Sequence, residues 1–269
     1  MKSRDLPLTA YGVLDGFKRL STAPAVEQLR TVGYVVIESG YTPSEITNIR
    51  ERFTRASANY IETHGKQKLE SINETDTVRA LLAQGDEIFL EVAMNRELVS
   101  IAKELIVGKF ILNQQNGITN PPRKQYSQSS WHRDLPYQHF ISSRPLALNA
   151  LYCIDDFTCE NGGTFVLPAS HKIEHFPSDE YIRRNAIQIE AKAGSFIILD
   201  CMLFHCGGFN NTTLPRRAIN HLLTVPYIKQ QINLSIAMSK AQLNDEQKAF
   251  LGFDYQVPAS VNDYLESKT

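Results

Sequence analysis

The sequence predicts an α+β protein whose β part is a sandwich or barrel, with helices gathered before and after it. Three observations carry that expectation. Up to Gly108 the apolar residues recur at helical spacing, from Lys109 the chain turns to β-branched and aromatic residues broken by Gly, Pro and Asn, and after Asn233 helical character returns. One folding unit over 1–269 then divides into a mainly helical support (1–108), a β core (109–232) and a helical tail (233–269).

Ser21 and Thr22 are N-cap candidates and Pro24 suits a first turn, so Pro24 to Val32 reads as a helix ended by Gly33. Tyr34–Glu38 follows as a short strand. Pro43 opens a second helix with Ile46, Ile49, Phe53 and Ala56 on one stripe, reaching Thr63. Thr77–Ala83, Asp86–Met94 and Arg96–Ile106 also have helical spacing, and Gly108 ends the last of them. Strands are expected at Lys109–Asn116, Trp131–Asp134, Leu146–Ile154, Thr164–Leu167, Ile187–Ala191, Ser195–Leu199 and Ala218–Pro226. The polar stretch Gly117–Ser130, with Pro121-Pro122 and Arg123-Lys124, is long enough to act as a mobile lid. In the tail, Ser239 to Leu251 is the best helix candidate.

Lys and Arg number 28 against 29 Asp and Glu, a formal net charge of −1, so the basic excess of a phosphate-backbone reader is missing and nucleic acid is not the expected partner. Leu146–Ile154 and Phe196–Leu199, the longest apolar stretches, fall short of the roughly 18 residues a bilayer crossing needs. The opening Met1–Pro7 has no apolar run behind its charges. A cytoplasmic protein with a small-molecule partner and no membrane partner is therefore expected. Cys153, Cys159, Cys201 and Cys206 lack C-x-x-C spacing and read as reduced thiols. Nothing singles out an interface patch, so the oligomeric state is open.

Two patterns compete for a metal. His171-Lys-Ile-Glu174-His175 fits the H-x-x-E-H string of inverted zinc peptidases, but that chemistry needs a continuous helix, and Pro168 and Pro177 leave no room for one. A surface turn is the expected structure there. In His132-Arg133-Asp134, residues i and i+2 of a strand share a face, so an imidazole and a carboxylate can reach one ion while Arg133 points away. His205, at the end of Ser195–Phe204, completes a 2-His-1-carboxylate triad that leaves positions on ferrous iron open for a co-substrate and O₂. Arg216 lies far enough beyond His205 for a turn and a return strand, and its planar fork suits the distal carboxylate of a bound 2-oxo acid. Arg217, adjacent in a strand, faces the other way.

Trp131-His132-Arg133-Asp134, the segment Glu160-Asn161-Gly162-Gly163-Thr164-Phe165-Val166-Leu167-Pro168-Ala169-Ser170-His171-Lys172, and His205 followed by Arg216-Arg217-Ala218 together resemble the phytanoyl-CoA dioxygenase family of iron and 2-oxoglutarate dependent oxygenases. The match spans residues 24–226 in order. It implies a double-stranded β-helix, the cupin-like jelly roll, with helices packed outside. It also implies Fe(II) held by His132, Asp134 and His205, and 2-oxoglutarate held at its far end by Arg216, with O₂ as the second co-substrate. His171 is implied to be scaffold. Some relatives carry a serine where Gly207 stands and a lysine where Asn120 stands, so other groups must complete the co-substrate contacts. Gln115, Asn116 and Asn149 are candidates, and Trp131 is either a pocket wall or a core plug.

Asp134 favours hydroxylation over halogenation, since halogenating relatives replace that carboxylate. Arg123, Lys124, Arg133, His139 and Arg144 either meet an anionic substrate or form a solvated loop face. A small polar metabolite, such as a saccharide, amino acid or natural-product intermediate, ranks above a coenzyme A thioester. A non-catalytic jelly roll that binds metal or sugar, and a zinc enzyme on the same triad, are the readings from other classes. Cys206, next to His205, reads as a packing residue.

Overall fold

Helix α1, Pro24–Val32, stops where Gly33 enters the left-handed region at φ 87° and returns its N–H to Leu29 O. The computed structural model describes residues 23–135 and 137–268, so Ser21, Thr22 and the Met1–Pro7 terminus lie outside the described residues. Strand β1 is Tyr34–Glu38. Helix α2, Pro43–His64, begins at a capping box between Thr42 and Glu45 and buries Ile49, Phe53 and Ala56, the stripe read from the sequence. A full burial such as that of Phe53 stabilises by roughly 1.5–3 kcal/mol.

Helix α3, Lys66–Ser71, was not signalled by the sequence. Thr77–Ala83 is not the expected helix: Thr77–Val78 is strand β2, and Leu81–Ala83 is one 3-10 turn. Ala80 between them sits in the left-handed region at φ 47°, which breaks any helical run, and the buried Val78, Leu81 and Leu82 only imitate its spacing. Helices α4, Ile88–Ala93, and α5, Arg96–Leu105, follow, the second capped by Asn95.

Strand β3, Ile111–Asn120, is followed by β4 (Ala147–Cys153), β5 (Phe165–Val166), helix α6 (Asp179–Asn185), β6 (Ile187–Gln188), β7 (Ser195–Asp200), β8 (His205–Cys206) and β9 (Arg216–Thr224). All pairings are antiparallel. The larger sheet runs β1-β7-β4-β9-β3-β2 and the smaller β6-β5-β8, the two faces of a jelly-roll double-stranded β-helix. Trp131–Asp134 contributes one bridge, His132 to His205, beside β8 rather than a full strand. In the tail, α7 (Leu234–Ala237), α8 (Asp245–Phe250) and α9 (Val261–Glu266) replace the longer helix expected over Ser239–Leu251, because Asn244 starts α8 with its own capping box. Among the described residues no helix is long and apolar enough to cross a membrane.

The pleat of the larger sheet sorts its side chains. Leu148, Ala150, Phe196, Ile198, Ile219 and Leu223 join the helical residues in one core. Leu151, Cys153, Ile197, Leu199 and Ala218 face the smaller sheet, where they meet Phe157 and Val166. Arg216 and Asn220 share the parity of Ala218, and β4 places Asn149 on the same inner face, so polar side chains enter one end of the space between the sheets.

The turn before β8 depends on Asp200. This buried carboxylate accepts from the Met202 N–H at 2.9 Å. Burial pushes its pKa from the ordinary 3.8 up to about 6, against the opposing Met202 hydrogen bond and the charges of Lys172 and Arg133. The folded chain then keeps a proton that the unfolded chain has already lost, so this group's contribution falls as pH rises from about 4 to 6 and stays low above that, by on the order of 2–3 kcal/mol. Asp200→Asn is expected to raise the thermal midpoint at pH 7.5 and to show a gain that shrinks towards pH 4. An offset independent of pH would refute this.

Candidate active site

His132 and His205 exchange backbone hydrogen bonds, N–H to O at 3.0 and 3.1 Å, so they are directly opposed and their rings stand on one face with centroids 4.4 Å apart. Two residues on, Asp134 is anchored by its N–H to Cys201 O at 3.0 Å. Its Oδ1 lies 3.9 Å from His132 Nε2 and 3.6 Å from His205 Nε2, and one ligand atom from each residue falls within 4.8 Å of the others. His132 Nδ1 lies 2.8 Å from Ser130 O, and His205 Nδ1 lies 2.9 Å from Leu203 O. A carbonyl only accepts, so each Nδ1 carries the proton and each Nε2 offers its lone pair. Asn149 donates to Asp134 Oδ2 at 2.9 Å, which leaves Oδ1 turned to the histidines. Burial, opposed by Asp134, lowers the pKa of His205 and favours the neutral ring that ligates metal. Two imidazole nitrogens and one carboxylate oxygen around a point form a donor set that fits ferrous iron.

Arg216 starts β9 and is buried, its guanidinium 4.0 Å over the Phe157 ring and Nη2 donating to the Tyr126 hydroxyl at 3.1 Å. Its Nε is buried with no partner, a donor left for a ligand. Arg217 faces outward, its Nε and Nη2 both 2.8 Å from the Asp155 carboxylate, as strand alternation requires. His132, His205, Asn149 and Arg216 line one pocket, with Tyr126, Gln128, Thr164 and Asn220 completing its polar wall.

Residues 29–218 match the phytanoyl-CoA dioxygenase family. The chain belongs to that family. It is accordingly an iron- and 2-oxoglutarate-dependent dioxygenase. An uncharacterised protein of Mycobacterium tuberculosis is 29% identical over 250 residues, covering 89% of this chain and 90% of that one. The fold is shared with crystal structures of EctD from S. alaskensis with 2-oxoglutarate and 5-hydroxyectoine (TM-score 0.63, 19% identity, 78% of each chain). It is also shared with the non-heme alpha ketoglutarate dependent epimerase SnoN from nogalamycin biosynthesis (TM-score 0.60, 16% identity, 78% of this chain and 86% of that one).

Several expected contacts fall elsewhere in this phytanoyl-CoA dioxygenase family member. Gln115 is in the pairing row of His221 and Ala150, which faces the helices, and it donates to Phe89 O at 2.6 Å, away from the pocket. Asn116 accepts from the Ala80 N–H at 3.3 Å. Trp131 is half-buried beside His132 and is not among the residues lining the pocket. Arg133 points away from the triad, is buried and donates from both Nη atoms to backbone carbonyls, so it is not part of a solvated or substrate-facing cationic cluster. His171 sits in a 3-10 turn, Ser170–Lys172, but is buried rather than solvated, and that burial lowers its pKa to about 4. Cys206 is buried, which raises its thiol to about 12 and keeps it from being a thiolate.

The stretch expected as a lid is shorter than it looked. Gly117–Asn120 belongs to β3, and 121–130 is tied down by Arg123 N–H to Asn210 O at 2.8 Å and Gly207 N–H to Gln128 O at 2.7 Å. It nonetheless covers the site, because it delivers Tyr126 and Gln128 to the pocket. Sequence reasoning missed both residues, since a loop has no periodicity to read. Asn220 could have been found as the inner-face residue four beyond Arg216.

Proposed function

We propose that the enzyme hydroxylates an unactivated C–H bond of a small polar or anionic metabolite, of the saccharide, amino acid or natural-product class. His132, Asp134 and His205 hold Fe(II), and Arg216 pairs with the distal carboxylate of 2-oxoglutarate. The observation that carries the reading is the buried Arg216 guanidinium, with Nε unpartnered, in the same pocket as both histidines. Bound Fe(II) and 2-oxoglutarate supply O₂ activation and oxidising equivalents, and 2-oxoglutarate leaves as succinate and CO₂. The chain's part is geometric. Ser130 O and Leu203 O fix the imidazole tautomers, Asn149 fixes the carboxylate, and Phe157 and Tyr126 fix the guanidinium.

Asp134 supports hydroxylation over halogenation, since its carboxylate fills the place a halide needs. The polar substrate class is supported by Asn149 Oδ1 and Asn220 Oδ1, both buried without a partner, and by the 5-hydroxyectoine in the EctD structure. An acyl coenzyme A thioester is less favoured because Arg133, one of the cations around the first metal-binding segment, is buried and donates to backbone carbonyls instead of facing a phosphate.

Anaerobic addition of Fe(II) and 2-oxoglutarate to the apoprotein is expected to give the weak visible charge-transfer band of the chelate. No band in a folded, iron-loaded sample overturns the reading in favour of a binding protein or zinc enzyme. Arg216→Ala is expected to raise the 2-oxoglutarate requirement at least about tenfold, the loss of one charged bidentate pair. An unchanged requirement would remove Arg216 from that role.

A further inference from the structure

Gly207 and Tyr126 compete for one place. A Cβ built on Gly207 would stand 1.9 Å from the Tyr126 hydroxyl and 2.7 Å from its Cζ. Gly207 is not among the residues with positive φ, so backbone conformation does not call for glycine there. What the missing side chain provides is room for a phenol. Tyr126 is buried, and its loop is held by hydrogen bonds to Asn210 and Gly207 and by the Tyr126 N–H to Ser129 Oγ at 3.1 Å.

The phenol oxygen is 3.1 Å from Arg216 Nη2. A guanidinium has only donors, so Tyr126 accepts from it and keeps its own O–H free to donate. Burial raises the pKa of the phenol, against the opposing Arg216 charge, so the proton stays on at neutral pH. Beside it Arg216 Nε is also without a partner. Two donors therefore converge on one end of the pocket whose other end holds His132 and His205, and both lack an acceptor from the protein. A carboxylate is the group that takes two such bonds at once.

We propose that Tyr126 is a co-substrate-binding residue: its O–H and the Arg216 guanidinium together grip the distal carboxylate of 2-oxoglutarate, and Gly207 is the gap that admits the phenol. This rests on the reading of Arg216 above. It makes the 121–130 loop, which supplies no metal ligand, a part of co-substrate binding.

The test is calorimetric titration of 2-oxoglutarate into Mn(II)-loaded protein, with 2-oxopentanoate, which has a methyl in place of the distal carboxylate, as the second probe. Tyr126→Phe keeps the ring and is expected to weaken 2-oxoglutarate about tenfold, as loss of a charged hydrogen bond does, while leaving 2-oxopentanoate unchanged. Gly207→Ser is expected to weaken binding more, because it collides with the phenol. Tyr126→Ala combined with Gly207→Ser is expected to recover several-fold over Tyr126→Ala alone, because the serine brings a hydroxyl to the vacated space. Tyr126→Phe binding 2-oxoglutarate as tightly as wild type, or losing both probes equally, overturns the proposal while Arg216→Ala still weakens binding. Wild type and Arg216→Ala failing alike to bind 2-oxoglutarate overturns the Arg216 reading itself, and this proposal with it.

Discussion

Asp134→Ala is expected to lower Fe(II) affinity by more than about 100-fold and to abolish succinate formation from 2-oxoglutarate. Loss of an outer partner of a metal ligand typically costs 10–100-fold, and here the only carboxylate of the donor set goes. It is also the only anion in that set, so two neutral imidazoles remain to attract a dication. Asn149 loses its acceptor in the same change, and its amide nitrogen then joins Asn149 Oδ1, Asn220 Oδ1 and Arg216 Nε among the unpaired polar atoms of the pocket. The fold should survive, because the Asp134 N–H bond to Cys201 O is made by backbone. Metal content after anaerobic loading, read beside circular dichroism, checks the result. A variant that loads iron to the wild-type stoichiometry and still decarboxylates 2-oxoglutarate would remove Asp134 from the ligand set.

Much of this arrangement is legible in the sequence because strand alternation is a strict rule. It places His132 and Asp134 on one face, turns Arg133 away, and sends Arg216 inward while Arg217 goes out to Asp155. The same rule could not choose between Gln115 and its neighbours. Absolute parity on β3 depends on an irregularity between Leu112 and Gln114, which shifts the register against β9 and has no sequence signature there. The long apolar runs of β4 and β7 are readable as buried strands because both of their faces are covered. β8 is too short to carry a pattern, and Thr77–Val78 lies at a sheet edge amid residues whose spacing suits a helix. Tyr126 was beyond reach for another reason. It meets Arg216 across 90 residues, and only the folded chain shows that Gly207 stands empty for it.

Arg133→Ala is expected to destabilise the protein by about 3–5 kcal/mol, because several buried carbonyls lose their donor at once at roughly 1–3 kcal/mol each. Arg133 is 2% exposed, and its guanidinium donates to Gln138 O at 2.6 Å, to Glu174 O and Ser170 O at 3.1 Å each, and to Ile173 O. It also lies 4.0 Å over the ring of Phe204, the residue before His205. One side chain thus ties the His132–Asp134 segment to the loop after it, to the turn at 170–174 and to the approach to β8. Truncation leaves those carbonyls unpaired in a dry place, and each loop loses its common anchor. Arg133→Met, which restores bulk without donors, should recover little if hydrogen bonding dominates. Arg133→Lys should recover only part, because an ammonium presents three donors from a point and cannot lie flat on Phe204 while reaching four carbonyls. Urea denaturation of the metal-free protein measures the loss. A parallel Fe(II) titration should show weaker binding in Arg133→Lys, because the segment that carries His132 and Asp134 is less firmly placed. Wild-type midpoints in both Arg133→Ala and Arg133→Lys would mean that the loops are held by their own turns, and that the residue between the two ligands does not position them.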